Sequence, residues 1–532
     1  MAAPPDLRAA LRRYWGYDSF RPMQERIVVS LCEGRDACVV MPTGGGKSLC
    51  YQLPAALDAE RTAVVVSPLI ALMQDQVVQL DRIGISAGFL NSSLDAGARR
   101  RVLAEARQGR YRLLYLSPER LVRPETFEWL GGVPVSFFVV DEAHCISEWG
   151  HDFRPDYRQL RALREKFPQR PIAAFTASAT QRVRHDIMAQ LGLRDPQKFI
   201  ASFHRPNLRY ILRQCDARTQ PELLVRGLRS YPDGNVIVYA PTIKRVEETA
   251  AFLTGRGIPA VPYHGQMDAE TRRRNQELWM ADEVRVLVGT IAFGLGINKP
   301  AVRAVIHLAL PQSLEHYYQE AGRAGRDGRT ADCVLLWRKA DLGLLVYFIK
   351  KIEDAAEQSR AWDRYREITQ FVESGRCRHL EVCRHFGERP KWTSCGSCDV
   401  CGAKLEWLEA DPAVVQRPRR RERGVMRDAE PALQRTPVHA GKALSTPAAI
   451  SDGLREYLRA WRREMAREQK VPAYVVLHDT SLDALCAQQP RTLADLRGVS
   501  GFGEIKTARY GPAVLEALAA YRKASKSRTE GT

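Results

Sequence analysis

Short runs of apolar, mostly β-branched residues alternate with amphipathic stretches through the first 340 residues of the chain. Apolar runs of four or five residues between helical patterns are typical of strands buried on both faces of a parallel sheet. The pattern therefore predicts an α/β fold. The predicted strands form a first set at 37–41, 63–67, 112–116, 137–140 and 172–175 and a second set at 236–239, 286–289 and 305–308.

The same pattern divides the chain into units. The first strand set ends near residue 200, and we expect 202–207 to be an extended connector because Pro206 opposes helix. Two α/β lobes are thus predicted. The expected boundaries are 1–202 for the first lobe, 203–340 for the second, 341–403 for a helical module with cysteines, 404–447 for a Pro/Arg-rich basic linker, 448–525 for a compact helical domain and 526–532 for a polar tail.

The charge of the chain narrows the choice of partner. The 532 residues carry a formal net charge of +18, which favours a polyanion such as nucleic acid over a merely solvated basic surface. No apolar run approaches the length of about 20 residues that a membrane span needs. The N-terminal residues have no basic stretch followed by an apolar one, so we expect neither a signal peptide nor a membrane anchor.

A glycine-rich loop follows the first predicted strand. Glycines let backbone N–H groups curl around phosphate oxygens, and the helix that follows adds a partial positive charge. Lys47 is expected to reach the β- and γ-phosphates of ATP, and Ser48 to ligate Mg²⁺. The predicted nucleotide-binding residues of this loop are Thr43, Gly44, Gly45, Gly46, Lys47 and Ser48.

Two carboxylates end the predicted strand at 137–140. Asp141 is placed to hold Mg²⁺ opposite Ser48, and Glu142 is placed to take a proton from the attacking water. An Asp-Glu pair after a strand is by itself usually an exposed acidic turn. With a phosphate loop upstream, the catalytic interpretation is favoured.

Two arginines three residues apart lie in the second lobe. Arg323 and Arg326 share one side of a helical turn, and guanidinium groups suit γ-phosphate oxygens and transition-state charge. A solvated basic helix is the simpler alternative. The small residues between the arginines favour close approach to another surface, and we include both arginines among the predicted catalytic residues with Lys47, Asp141 and Glu142.

These elements, in this order, resemble a superfamily-2 helicase core, and further motifs resemble RecQ DNA helicases. The stretch YDSFRPMQ at 17–24 is similar to the family's adenine-reading motif. The resemblance implies that Tyr17 stacks on the base while Gln24 and Arg21 bind its edge. It also implies two RecA-like lobes. The other similar stretches are MPTGGGKSLCYQ at 41–52, SEWGHDFRP at 147–155, AFGLGINKP at 292–300 and the arginine motif at 317–328.

The stretch 147–155 resembles the aromatic-rich loop of RecQ enzymes. Trp149 and Phe153 offer faces on which unpaired bases can stack, and Arg154 adds charge. The resemblance implies that this loop couples DNA binding to hydrolysis. It also implies DNA contacts at Ser67 and Pro68, and that the segment 176–179 links the ATP state to DNA.

Five of the twelve cysteines cluster between residues 377 and 401. The spacing C-x17-C-x2-C-x2-C can surround Zn²⁺ with four thiolates, which leaves no position for a catalytic water. The predicted zinc ligands are Cys377, Cys395, Cys398 and Cys401. Cys383 follows apolar residues on a predicted helix and is assigned to packing, as in the family pattern.

The region after the linker resembles the helicase-and-RNase-D C-terminal (HRDC) domain, an all-α module. The resemblance rests on residues such as Trp461 and Arg462, on 471–479 and on the turn LRGVSGFG at 496–503. This turn, followed by Lys506, is expected to let a helix N-terminus approach phosphate. The winged-helix domain that RecQ enzymes commonly carry after the zinc module is expected to be missing, since only the basic linker occupies that place.

The resemblance implies an ATP-dependent 3′–5′ DNA helicase of repair and recombination, using ATP, Mg²⁺ and Zn²⁺. The expected partners are single-stranded and tailed or branched duplex DNA, with single-strand-binding protein and topoisomerase as the family implies. The expected location is the cytoplasm, associated with the nucleoid in a bacterium. The alternatives are an ATPase translocase that does not unwind duplex, a non-enzymatic DNA-annealing scaffold, and RNA as substrate.

Overall fold

Two parallel β-sheets, each flanked by helices, form the first 340 residues of the protein. The computed structural model describes residues 6–91, 94–290, 299–409, 452–469 and 473–529. The α/β prediction with two lobes is confirmed. The inner strands of each sheet are apolar and buried on both faces, as parallel sheets between helices require.

The seven-stranded sheet of lobe 1 has the order β3-β4-β2-β5-β6-β1-β7. Its strands are β1 (Ala37–Val40), β2 (Thr62–Val66), β3 (Ala87–Leu90), β4 (Leu113–Leu116), β5 (Val135–Val140), β6 (Ile172–Thr176) and β7 (Gln197–Ile200). Its helices are α1 (Leu7–Trp15), α2 (Gln24–Cys32), α3 (Lys47–Leu57), α4 (Ile70–Arg82), α5 (Ala96–Arg107), α6 (Pro118–Leu121), α7 (Pro124–Leu130), α8 (Pro155–Arg158), α9 (Arg161–Lys166) and α10 (Gln181–Gln190), with a 3₁₀ turn at Ala143–Ile146. Because all the pairings are parallel, the carboxyl ends of the strands share one edge of the sheet, where α/β proteins place their ligands.

The six-stranded sheet of lobe 2 has the order β10-β11-β9-β12-β13-β8. Its strands are β8 (Leu208–Gln214), β9 (Asn235–Tyr239), β10 (Ala260–Tyr263), β11 (Val286–Gly289), β12 (Val302–His307) and β13 (Ala331–Trp337). Its helices are α11 (Thr219–Arg229), α12 (Ile243–Gly255), α13 (Ala269–Met280) and α14 (Leu314–Ala321).

All eight predicted strands are present, with ends that differ by at most a few residues. The sequence patterns missed five others. Four of them, β3, β7, β8 and β10, are the outermost strands of the two sheets and carry partly exposed residues. The fifth, β13, lies inside its sheet but contains the charged residue Asp332.

The cysteine-bearing module packs against lobe 2. It contains α15 (Lys339–Lys350), α16 (Ala355–Glu373) and α17 (Arg378–His385), followed by 3₁₀ turns at Asp399–Cys401 and Glu406–Leu408. Its residues join one continuous apolar core with both lobes. An isolated bridge between Tyr210 and Cys398 fixes the module to the edge strand β8.

The C-terminal domain is helical and has its own apolar core. Its helices are α18 (Asp452–Glu468), α19 (Ala473–Val476), α20 (Asp479–Gln488), α21 (Leu493–Arg497) and α22 (Glu504–Thr529). The stretch 292–298 of the family motif at 292–300, the linker from residue 410 onward, residues 471 and 472 and the end of the tail lie outside the described residues.

The C-terminal domain packs closely on lobe 1 through glycines. The backbone N–H of Gly501 donates to the carbonyl of Gly16 over 3.1 Å. A Cβ added at Gly16 would lie 2.6 Å from the backbone of Phe502 and Gly503, so the two chains touch main chain to main chain. Nearby, the guanidinium of Arg82 donates to the hydroxyl of Tyr510 over 2.9 Å.

The same domain contacts lobe 2 through charged groups. The carboxylate of Asp282 accepts from Lys299 Nζ over 2.7 Å and from Arg462 Nη2 over 3.0 Å. Lys299 and Arg462 are both buried. Further out, Arg467 pairs with Glu283 and Arg329 pairs with Asp483. The domain therefore bridges both lobes.

This packing changes the role expected for the glycine-rich turn. Gly501, Phe502 and Gly503 lie on lobe 1, so in this arrangement they do not face a nucleic acid. Lys506 is half-buried behind them, and burial, helped by the charges of Arg82 and Arg462, lowers its pKa to about 8. The sequence pattern correctly indicated a close backbone approach, but the partner is protein rather than phosphate.

We predict that Asp282→Asn loosens the C-terminal domain from lobe 2. Asn accepts the left-handed backbone conformation of this position (φ 62°) but removes the carboxylate that joins Lys299 to Arg462, which keeps its pair with Asp479 inside the C-terminal domain. Losing charged hydrogen bonds of this kind costs about 1.5–3 kcal/mol. Hydrogen exchange in α18, which carries Arg462, should therefore speed up by about ten- to a hundredfold in the full chain, while the Gly501 amide on lobe 1 changes little. The exposed Asp233→Asn is the matched control, and unchanged exchange in Asp282→Asn would contradict the predicted role.

Candidate functional site

The phosphate loop, residues 41–48, joins β1 to α3 at the carboxyl edge of the first sheet. Gly44 and Gly46 adopt left-handed conformations (φ 81° and 82°), which turn the chain into the first N–H groups of α3. A Cβ at Gly46 would lie 2.4 Å from Gln24 Nε2, so glycine is required there. Lys47 lies across the loop with its Nζ 3.3 Å from the carbonyl of Met41. The loop thus places a lysine beside the first N–H groups of α3.

The residues of the predicted adenine motif touch this loop. Arg21 Nη1 donates to the carbonyl of Gly44 over 2.5 Å, and Gln24 Nε2 lies 3.3 and 3.2 Å from the carbonyls of Gly45 and Gly46. The Tyr17 side chain is partly exposed at the end of α1. The structure therefore brings two of the three predicted base-reading residues, Arg21 and Gln24, to the phosphate loop.

Asp141 and Glu142 follow β5 at the same sheet edge. Asp141 is buried, and its backbone carbonyl accepts from the hydroxyl of Tyr157 over 3.1 Å. Glu142 has a left-handed backbone (φ 47°), an unusual conformation for a residue with a side chain. Glu142 Oε2 lies 3.4 Å from His144 Nδ1, and that nitrogen lies 2.9 Å from the hydroxyl of Thr176.

The two neighbouring carboxylates titrate differently. Burial, and then the charge of Glu142, raise the pKa of Asp141 to about 7. Burial alone would raise the pKa of Glu142, but His144 and the charge of Lys47 outweigh it and lower that pKa to about 2. The lowered pKa keeps Glu142 ionised at neutral pH, as a proton acceptor must be, whereas burial opposes ionisation of Asp141 until a cation neutralises it.

The arginine motif of lobe 2 lies directly against the phosphate loop of lobe 1. The hydroxyl of Thr43 donates to the carbonyl of Gly322 over 2.9 Å. A Cβ at Gly44 would lie 3.1 Å from Arg326 Cγ. Burial, followed by repulsion from Arg323 and from Arg205, lowers the pKa of Arg326 to about 9. The predicted catalytic cations of the two lobes thus converge on one space.

Gln319 provides a second contact between the lobes. It is on α14, and its Nε2 donates to the hydroxyl of Ser178 over 2.7 Å. Ser178 belongs to the segment 176–179 that resembles a coupling motif. Gln319 lies within the arginine motif at 317–328. The sequence alone assigns it no separate role, because nothing in the local pattern shows which residue it faces.

The aromatic loop, residues 147–155, exposes the side chains that the sequence singled out. Trp149 and Phe153 are 41% and 37% exposed, high values for such large apolar groups. The guanidinium of Arg182 lies over the ring of Trp149 at 3.0 Å from its centroid. Arg154 pairs with Asp152 over 3.1 Å. Two aromatic faces and several cations therefore lie together on the surface, which suits a single strand of nucleic acid.

A row of histidines joins this loop to the carboxylates. The ring of His151 stacks on that of His144 at 4.4 Å and meets the ring of His316 edge-on at 4.9 Å. His144 faces Glu142, and His316 belongs to α14 of lobe 2. The loop is therefore in contact with both the first-lobe carboxylates and the second lobe.

Two predicted DNA contacts are less accessible. Ser67 follows β2 and is 1% exposed, while Pro68 is partly exposed. The hydroxyl of Ser67 has no hydrogen-bond partner within the described part of the chain. In this arrangement Ser67 reaches a ligand only if its surroundings move.

The four predicted zinc-binding cysteines come together. The sulfur atoms of Cys377, Cys395, Cys398 and Cys401 all lie within 4.8 Å of one another. A tetrahedral zinc site with Zn–S bonds of 2.3 Å needs sulfur atoms about 3.8 Å apart, so the four thiols fit the metal. Cys383 is outside this group and is fully buried in the core, as its assignment to packing predicts.

Arg205 is the residue that sequence reasoning missed. It lies in the connector 202–207, is 9% exposed and has no place in any motif we considered. Its guanidinium contacts backbone carbonyls of both the phosphate loop and the arginine motif. The one signal in the sequence that pointed to a role for this residue was an arginine in a connector that contains none of the recognised motifs.

None of the helices in the described ranges combines the length and apolar character that a membrane crossing requires.

Models of known protein families match the chain in four places. They are the DEAD/DEAH box helicase at residues 21–187, the helicase conserved C-terminal domain at 219–328, RecQ zinc-binding at 339–402 and the HRDC domain at 451–518. The phosphate loop and both carboxylates fall in the first match, and the arginine motif falls in the second. The zinc-binding match contains all four clustered cysteines.

Three bacterial relatives bear the name ATP-dependent DNA helicase RecQ. The Haemophilus influenzae protein is 42% identical over 75% of this chain, which spans 64% of that relative. The Pasteurella multocida protein is 34% identical over 96% of this chain and 93% of its own length. The Bacillus subtilis protein is 32% identical over 97% of this chain and 99% of its own length. The alignment to the Pasteurella protein has 595 positions, more than the 532 residues here, so that relative has residues without a counterpart in this chain.

Among solved structures, the DEAD-box helicase Mss116 bound to ssRNA and UDP-BeF is similar with a TM-score of 0.54 and 18% identity, over 66% of this chain and 76% of that one. Saccharomyces cerevisiae Dbp5 bound to RNA and ADP BeF3 has a TM-score of 0.52 and 16% identity, over 70% and 98% of the two chains. At this identity the similarity concerns the fold alone.

We predict that Cys398→Ser abolishes zinc binding, because three thiolates and a hydroxyl cannot close the tetrahedral site. The purified variant should contain well under one zinc per chain by mass spectrometry and unfold at a lower temperature, since metal binding contributes to folding. Cys383→Ser alters a buried thiol outside the cluster and is the matched control. It should retain one zinc, and full zinc occupancy in Cys398→Ser would contradict the assignment.

Proposed function

Because this chain belongs to the RecQ family of ATP-dependent DNA helicases, we propose that it couples ATP hydrolysis to 3′–5′ movement along single-stranded DNA and to unwinding of duplex DNA. The observation that carries this proposal is the meeting of the phosphate loop with the arginine motif, since Thr43 binds Gly322 across the lobes. A site shared between lobes changes when they separate, which is how hydrolysis becomes movement. Repair and recombination are the processes that the family resemblance implies.

On the side of lobe 1, Lys47 neutralises the β- and γ-phosphates of ATP, and the glycine N–H groups hold them in place. Ser48 and Asp141 would hold Mg²⁺, whose charge favours the reacting phosphate geometry. The buried carboxyl of Asp141 supports this assignment because a nearby cation would stabilise its ionised form. Tyr17, Arg21 and Gln24 read the adenine.

Glu142 takes the proton from the attacking water. Its lowered pKa keeps it ionised, and His144 fixes its orientation. On the side of lobe 2, Arg323 and Arg326 stabilise the charge that develops on the transferred phosphoryl group. Arg323 is buried, and its Nε has no hydrogen-bond partner within the described residues, which fits a group that waits for an anion.

The DNA contact is proposed on the aromatic loop. Bases stack on Trp149 and Phe153, where Arg182 now lies over the Trp149 ring. Arg154 and the exposed edge at Pro68 extend this surface. DNA bound here would press on His151 and, through it, on His144 and Glu142. The basic segment at 410–447 adds positive charge that would strengthen binding at low salt.

Single-strand-binding protein and a topoisomerase are proposed as partners because the family resemblance implies them, and a cytoplasmic, nucleoid-associated location follows from the same resemblance. Co-purification of the full chain with each candidate partner is the direct check. The zinc module is proposed to be structural, since four thiols leave no open coordination position.

A translocase that does not unwind duplex is the second candidate. It is favoured by one observation: the zinc-binding match ends at residue 402 and the HRDC match begins at 451, which leaves a short basic stretch at the place where the family resemblance implies a winged helix. The family resemblance assigns the splitting of the duplex to that domain.

The experiment that separates these functions uses duplex DNA with a 3′ tail, a 5′ tail or no tail, over a series of salt concentrations. The proposed helicase displaces the strand of the 3′-tailed substrate when ATP is present. ATP hydrolysis without strand displacement would favour the translocase. Absence of ATP hydrolysis with DNA present would favour a non-enzymatic scaffold.

Glu142→Gln should lower the DNA-stimulated ATPase rate by about a hundredfold or more, because it removes the proton acceptor without changing the size of the side chain. Binding of MgATP should be retained, as measured by fluorescence of a labelled nucleotide. Lys47→Ala, in contrast, should weaken nucleotide binding itself. An ATPase rate near that of the unaltered protein in either variant would contradict the proposed site.

The need for Mg²⁺ should depend on pH. A proton on Asp141 competes with Mg²⁺, and with a pKa of about 7 the protonated fraction grows as pH falls. The Mg²⁺ concentration for half-maximal ATPase activity should therefore rise about tenfold between pH 8 and pH 6. Excess Mg²⁺ should restore the rate at pH 6. Binding of Mg²⁺ to free ATP, measured at each pH, corrects for the nucleotide, and a flat corrected profile would contradict the assignment.

A further inference from the structure

Arg205 occupies the point where the connector passes between the phosphate loop and the arginine motif. Its Nη1 lies 2.7 Å from the carbonyl of Gly322 and 3.4 Å from that of Thr43. Its Nη2 lies 3.0 and 2.9 Å from the carbonyls of Ala324 and Gly325. One buried guanidinium thus binds both lobes at the nucleotide site, and three of its four acceptors belong to the arginine motif.

We propose that Arg205 is a positioning residue for ATP hydrolysis: it holds the backbone on both sides of Arg323, so that the arginine motif faces the phosphate loop when the lobes are closed. This inference rests on the proposed ATPase function. Arg205 acts through main-chain carbonyls and need not touch the nucleotide. Asn207, two residues on, supports the same turn by donating to the carbonyls of Gly325 and Arg329 over 2.8 and 2.9 Å.

The position of Arg205 beside two other arginines is electrostatically unfavourable, which indicates that its hydrogen bonds have a function. Arg205 contributes to lowering the pKa of Arg326, which means that the two cations repel each other. A third arginine beside Arg323 and Arg326 is unfavourable for stability unless its hydrogen bonds offset the repulsion. Four carbonyl acceptors for one planar guanidinium do so, and their geometry is specific to arginine, because lysine has a single nitrogen and cannot reach both rows of carbonyls.

The zinc module fixes the connector from the other side. The carboxylate of Glu388 accepts from the hydroxyl of Ser202 over 2.6 Å and from the N–H of Phe203 over 2.8 Å. The ring of Phe386 stacks on that of Phe203 at 4.3 Å. His379 Nε2 lies 3.2 Å from the carbonyl of Arg205 itself. The position of the arginine motif therefore depends on the zinc module through Arg205, although the metal site is remote from ATP in sequence.

A purely structural role is the alternative: Arg205 would then join the lobes without affecting the reacting geometry. The two roles differ in what they do to binding. Loss of positioning weakens the transition state and leaves ground-state nucleotide binding largely intact, because the hydrogen bonds of Arg205 within the described residues reach the phosphate loop only through the 3.4 Å contact with Thr43, and not at Lys47 or the loop glycines. Loss of general stability affects both states alike.

The test compares Arg205→Lys with the unaltered chain and with Arg213→Lys, an exposed arginine on β8, as the matched control. We expect kcat of the DNA-stimulated ATPase to fall by about ten- to a hundredfold in Arg205→Lys, with KM for ATP within about twofold. Affinity for MgADP with aluminium fluoride, a transition-state analogue, should fall by a similar factor, while affinity for MgAMP-PNP should not. Arg213→Lys should behave as the unaltered chain does.

Asn207→Ala is the second variant, in case Arg205→Lys does not fold, as judged by zinc content and thermal unfolding. It removes only the outer support of the turn and should show the same pattern with a smaller fall, about three- to tenfold. If a folded variant loses affinity for both analogues equally, or for neither, the positioning role is wrong. If the unaltered chain itself has no ATPase activity, the proposed function fails instead, so the two failures are distinguishable.

Discussion

The closed site depends on holding like charges together. Lys47 belongs to lobe 1, whereas Arg323 and Arg326 belong to lobe 2, and burial first, then repulsion from Arg323 and Arg205, lower the pKa of Arg326. Hydrogen bonds to backbone carbonyls oppose this repulsion: the hydroxyl of Thr43 binds the carbonyl of Gly322, and the guanidinium of Arg205, although itself a cation, binds four carbonyls. The negative charge of the ATP polyphosphate would compensate the positive charge of this cluster. Closure is therefore favoured by the substrate and weakened when its charge leaves the site.

The nucleotide site and the aromatic loop are linked by contact rather than by proximity in the chain alone. His144 touches Glu142 on one side and stacks on His151 on the other, and His151 meets His316 of lobe 2. A shift of the loop thus changes the surroundings of the proton acceptor and of the lobe interface together. Aromatic stacking tolerates any base, so this link can report that a strand is present without reporting its sequence.

The chemistry of the site could be predicted from the sequence because each motif is local. A glycine loop after a strand, two carboxylates after another strand and four spaced cysteines each fix a geometry within a few residues. Strands inside a sheet were predicted because both faces are apolar, whereas outer strands such as β7 expose half of their residues and lack that pattern. In β13, Asp332 interrupts the apolar run, and only the fold reveals its partners Arg209 and Tyr231.

What could not be predicted involves residues that are far apart in the chain. Arg205 has no local signature, since its four acceptors are created by the meeting of two lobes. The turn at 498–503 shows the same limit in another way. Its glycines indicate that another group comes close to the backbone. The same glycine pattern would accommodate either a phosphate or another protein segment. In the structure the partner is lobe 1, where Gly16 contacts Gly503.

The C-terminal domain holds the two lobes by different kinds of contact, and this difference has a consequence for movement. On lobe 1 it packs backbone against backbone at Gly16, a short-range contact that is either made or lost. On lobe 2 it relies on charges around Asp282, whose attraction weakens gradually with distance. When the lobes separate, the domain should therefore stay on lobe 1, beside the adenine motif, while the contacts to lobe 2 lengthen. A domain held in this way limits how far the lobes open, which makes the C-terminal domain part of the motor rather than an independent DNA-binding module.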